Sequence, residues 1–87
     1  MLTIDRQDRI FNNALSIVSS RQTDEGFACA QCVKRLNRKI RARRAASDEA
    51  FEAYQSSGYE GSFLDYILEH WDQIFAIIQK IMSLFGV

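Results

Sequence analysis

Cys29 and Cys32 enclose Ala30-Gln31, the C-x-x-C spacing shared by redox dithiols and metal sites. Thioredoxin-type chemistry needs that motif at a helix N-terminus following a strand. A helix start is expected here, but no strand pattern precedes it. A structural zinc needs four ligands, and the chain offers two cysteines and one distant histidine, His70. Two copies meeting across a twofold axis would supply four thiolates, so a metal shared by a dimer stays open. The favoured reading is plainer: both cysteines fall near an apolar helix stripe and pack as small hydrophobes. No cofactor and no metal are therefore expected. His70 lies beside Glu69 at the edge of the C-terminal helix, with no nucleophile or second base in register. It reads as a hydrogen-bonding residue at an interface. No Gly-rich phosphate loop is present. The chain is expected not to be an enzyme, and no small-molecule substrate is evident.

Cationic residues are more concentrated. Residues 34–44 carry seven of the eleven basic side chains: Lys34, Arg35, Arg38, Lys39, Arg41, Arg43 and Arg44. Residues 45–87 carry seven acids against Lys80, a net of −6, so a formal charge of zero conceals a strong asymmetry. At helical spacing Lys34, Arg35, Arg38 and Arg41 fall opposite Leu36 and Ile40 and form an exposed face. Such a face can follow phosphates, pair with acids of the same chain or of a neighbour, or stay solvated. Base-reading side chains are limited to Asn37, and no aromatic residue interleaves the run for stacking. Nucleic acid is therefore the alternative reading, behind acid pairing and plain solvation.

The elements that position these residues follow from what the chain lacks. There is no proline, only four glycines, and little valine or threonine, so long stretches carry no helix breaker and little suits a sheet. With 87 residues, 47% hydrophobic and 25% charged, the chain reads as one all-α domain over 1–87. Two cysteines are too few for a disulfide-rich secreted scaffold. Met1 to Asp8 are polar and form no signal-peptide core, so a cytoplasmic location is expected. Three helices are expected, over 3–19, 24–57 and 63–85. The first has Thr3 as N-cap and a stripe of Phe11, Ala14, Leu15 and Val18. The second has an alternative break near residue 46, where Ser47-Asp48-Glu49 resembles a fresh N-cap after Arg43-Arg44. Gly58 and Gly61 bracket a turn, so the second and third helices form an antiparallel hairpin with the first packed on it.

The third helix is capped by Ser62 with Asp65 at the third position. Leu64, Ile67, Trp71, Ile74, Ile78, Ile81 and Phe85 repeat at alternating spacings of three and four. Leu68, Phe75 and Met82 widen that stripe on one flank, and Phe63, Ile77 and Leu84 widen it on the other. A face this wide needs cover on two or more sides. Self-association or a protein partner is therefore expected, a homo-oligomer above all, with Leu64, Ile67, Trp71, Ile74, Phe75, Ile77, Ile78, Ile81, Met82, Leu84 and Phe85 as the interface. Asp65, Glu69 and Asp72 on the polar face would repel anionic lipid, so a membrane is not the expected partner. Folding the chain about the turn sets Tyr54 against Leu64, Phe51 against Ile67, Leu36 against Met82 and Val33 against Phe85. The same register sets Ser47 against Trp71 and lays Arg43 on the Trp71 and Phe75 rings.

Overall fold

A computed structural model of the chain describes residues 4–20, 31 and 34–86. All regular structure among these residues is helical, so the all-α class stands. Helix α1 spans Ile4–Ser19. Helix α2 is described over 34–38. Then follow α3 (Ile40–Ser57), α4 (Phe63–Glu69) and α5 (Trp71–Phe85). The proposed N-cap at Thr3, the residue Val33 and the cysteines Cys29 and Cys32 lie outside the described residues.

Helix α3 is the central element, packed against both α1 and α5. Its buried residues are small: Ala42, Ala46 and Ala50, a stripe at spacings of four, with Ser47 beside it. Alanine is the best helix former, and its short side chain lets neighbouring helices approach closely. Helix α1 supplies Phe11, Ala14, Leu15 and Val18, none more than 3% exposed, so its expected stripe is its core face. From the other side come Ile67, Ile74 and Ile78 with no exposed surface, and Ile81 and Met82 nearly buried. Each large side chain buried in full contributes about 1.5–3 kcal/mol.

The turn after α3 is built as its glycines and serines suggest. Gly58 ends α3 at φ +74°, a left-handed conformation that side chains resist. Tyr54 Oη donates to the Gly61 carbonyl at 2.7 Å. A Cβ on Gly61 would lie 2.7 Å from the Tyr59 ring, so the ring needs glycine beneath it. Ser62 then caps α4, its Oγ accepting from the Asp65 amide at 3.2 Å.

Three expectations are corrected. The second helix does not break near residue 46: α3 runs unbroken through Ser47, which is 1% exposed. The break falls instead at Lys39, whose backbone is extended at φ −125°, ψ 96°. That break turns Ile40 outward to 56% exposure while Leu36 stays fully buried, so the two do not share a stripe. The helix expected over 63–85 is divided at His70 (φ −112°, ψ 41°) into α4 and α5. Neither break involves Pro or Gly, and apolar spacing is continuous across His70, so the heptad pattern could not reveal it.

The division at His70 also resets the register of the hairpin. Contacts remain antiparallel, with Phe51 and Tyr54 against Phe63 near the turn and Lys39 against Phe85 at the far end. A straight helix would set Glu49 near Glu69, yet Glu49 binds Lys80 at 2.7 Å. Helix α4 packs more against α1 than against α3, so α5 restarts closer to the turn than a straight helix would. Ser47 consequently takes a partner from α1: its Oγ accepts from Gln7 Nε2 at 3.3 Å. Arg43 is bound to Asp8, not laid on aromatic rings.

Candidate functional site

Two sets of residues singled out by their types meet at one end of the molecule. Where α2 gives way to α3, Arg38, Lys39, Ile40 and Arg41 line an open groove of about 470 Å³ together with Phe85 of α5. Ile40 and the half-buried Phe85 are its apolar residues, and Arg38, Lys39 and Arg41 are its cations. Lys39 Nζ donates to the Phe85 carbonyl at 2.9 Å, where the last turn of a helix is electron-rich. That contact holds the break against the end of α5. Leu84, next in the chain, is 71% exposed.

The cationic run divides between structural and free residues. Arg43 Nη2 meets Asp8 Oδ2 at 2.9 Å and its Nε donates to Oδ1 at 3.3 Å. Its Nη1 donates to Asn37 Oδ1 at 3.1 Å, so one guanidinium ties α2, α1 and α3 together. Gln7 reinforces the same seam by donating to Asp48 Oδ1 at 2.7 Å. Arg44 stands 3.6 Å from Asp5 in an exposed pair. The acids that take these cations are thus in α1, not in the acidic half of the chain. Lys34, Arg35, Arg38 and Arg41 are exposed and form no ion pair among the described residues.

The expected apolar interface divides similarly. Ile67, Trp71, Ile74, Ile78, Ile81 and Met82 are buried within the core of the chain itself. They are unavailable to an outside partner, because α3 packs along α5 and α1 packs on α4. Leu64, Phe75, Ile77 and Phe85 are half-buried, and Leu84 is exposed.

A second cluster sits at the opposite end, around the α3–α4 turn. The Tyr59 phenol donates to Glu69 Oε2 at 2.5 Å, and this carboxylate pushes the Tyr59 pKa up to about 12, with desolvation adding to the effect. His70 stacks on Tyr66 with ring centroids 4.5 Å apart, and meets Tyr59 edge-on at 5.5 Å. Tyr66 is almost fully buried and donates to Gln73 Oε1 at 3.1 Å. His70 thus organises the α4–α5 break, and Glu69 takes its hydrogen bond from Tyr59. Among the described residues no three of His, Cys, Asp and Glu come together as a metal site. Also among them, no helix is long and apolar enough to cross a membrane.

Sequence reasoning passed over Asp8, Tyr59 and the exposed position of Ile40. Asp8 and Tyr59 carried no spacing signal, since their partners lie in other elements. Ile40 was misplaced because the break at Lys39 has no residue signature. Comparison with protein-family models, with curated proteins and with solved structures gave no match for this chain.

Proposed function

We propose that the chain is a non-enzymatic, cytoplasmic interaction protein whose association surface is the groove between the α2–α3 break and the end of α5. One observation carries this reading. Among the described residues Ile40 at 56% and Leu84 at 71% are the large apolar side chains left in water, and the groove at Ile40 is edged by Arg38, Lys39 and Arg41. An exposed apolar patch with a polar rim is the usual mark of an interaction site. Burial of the floor would supply affinity, and the cations would set orientation and association rate. The matching ligand is a protein segment with an apolar face and acidic flanks.

The test is calorimetric titration with a helical peptide carrying leucine on one face and glutamate beside it. Binding is expected, and Ile40→Asp should abolish it while helix content is unchanged, because position 40 is exposed. No binding, or equal binding by the variant, would overturn the reading.

Nucleic acid is the second reading, favoured by the exposed Lys34, Arg35, Arg38 and Arg41, which form no ion pair among the described residues. It requires log affinity for duplex DNA to fall linearly with log salt, by about 0.9 per phosphate contacted. A flat response, or no binding at low salt, removes it.

A further inference from the structure

Among the described residues, two groups of exposed charges without an ion pair lie towards opposite ends of α3. Lys34, Arg35, Arg38 and Arg41 lie before or at the start of α3, whose 18 residues span roughly 27 Å. Beyond its other end, or close to it, lie the exposed acids Glu52, Glu60 and Asp65, with no cationic partner among the described residues. The half-buried Tyr59 and Leu64 stand among these acids. Each end therefore combines apolar surface with charge, and the two charges are opposite.

We infer that the occupant of the cationic groove is the acidic, tyrosine-bearing turn of a second copy of this chain, so that copies associate head to tail. This rests on the groove being an interaction surface and adds the identity of what fills it. A twofold contact through the groove would bring Arg38, Lys39 and Arg41 of one copy against the same cations of the other. Like charges across an interface select against that arrangement. Turning the second copy end for end brings Glu60 and Asp65 to the cations and Tyr59 and Leu64 to Ile40, Leu84 and Phe85. A contact between two different surfaces leaves one of each free, so assembly continues into a ring or an open chain. Because the charges on both surfaces are exposed, salt weakens the contact.

Sedimentation velocity on the full chain tests this with two neutralising variants, Arg38→Gln with Arg41→Gln, and Glu60→Gln with Asp65→Asn. All four positions are exposed, so both variants should keep wild-type helix content. Wild type should show mass rising past the dimer with concentration, and less so as salt is added. Each variant alone should self-associate at least about tenfold more weakly, having lost one of the two opposed charge sets. Mixed in equal amounts, they should form one-to-one dimers and nothing larger, since each supplies the end the other lacks. That recovery also shows that both variants are folded. Wild type that stays monomeric at hundreds of micromolar in low salt overturns the inference, as does a mixture that stays monomeric. A monomeric wild type that still binds the acidic peptide overturns the head-to-tail contact alone and assigns the groove to a foreign acidic helix. Loss of both overturns the interaction reading as well.

Discussion

Tyr59 and Glu69 join the turn after α3 to the end of α4 through one hydrogen bond, and its effect is readable as proton affinity. The folded chain holds the Tyr59 proton to about pH 12, whereas an unperturbed tyrosine releases it near 10. Stability from this contact is therefore complete below about pH 10 and is lost as pH climbs towards 12, because the unfolded chain ionises first. Phenolate absorbance should show Tyr59 titrating late, and Glu69→Gln should bring it back towards 10. Identical titration curves for the two proteins would contradict the assignment. Arg43 and Asp8 are the matching case at the α1–α3 seam, with side chains only 20% and 11% exposed. Removing one partner strands a charge, so Arg43→Met should cost about 2 kcal/mol in urea unfolding. Adding Asp8→Leu should recover part of that loss, and strict additivity would mean that the pair is uncoupled. Neither pair was visible in the sequence. A hydrogen bond between residues 35 apart leaves no periodic trace, whereas the cap Ser62–Asp65, three residues apart, was read directly.

Helix α3 shows what periodicity conveys and what it omits. Its small buried stripe looked like a loss of amphipathic pattern, yet Ala42, Ala46 and Ala50 are its most buried positions. Packing of α3 between α1 and α5 explains the stripe, and Ser47 is buried against Gln7 of α1, so Ser47→Leu should destabilise by about 1–3 kcal/mol through overpacking. A variant as stable as wild type in urea would show that the seam has room to spare. Gly58→Ala forces a side chain into the left-handed region at the end of α3 and should cost about 1 kcal/mol. The C-terminal ends of α1, α3 and α5 and the start of α4 were legible because Ser19-Ser20, Gly58, Gly86 and the cap Ser62 with Asp65 mark them. The breaks at Lys39 and His70 were not, since both meet other elements: Lys39 reaches across to Phe85, and His70 meets Tyr59 of the turn edge-on. Missing the second break set the hairpin register too far along, as the pair of Glu49 with Lys80 shows, and Arg43 turns to Asp8 instead of the aromatic rings.

Across the whole molecule, the width of the apolar face overstated what is left for a partner. The Cα radius of gyration, 11.9 Å, is close to the roughly 12 Å of a compact chain of this length. Packing at that density places six of the eleven proposed interface residues inside the core. Among the described residues Ile40 and Leu84 stay most exposed, and Ile40, with the half-buried Phe85, lines the groove edged by Arg38, Lys39 and Arg41. The charge asymmetry was evident from composition by segment, but its meeting with the apolar patch depended on the break at Lys39. The most direct test is a dilution series followed by amide nuclear magnetic resonance, from tens of micromolar to millimolar. Concentration-dependent shifts are expected at Arg38, Ile40, Arg41, Leu84 and Phe85, and again at Tyr59, Glu60 and Asp65, while α1 is unmoved. A spectrum that is the same at every concentration, or shifts centred on α1, would contradict association through these two ends.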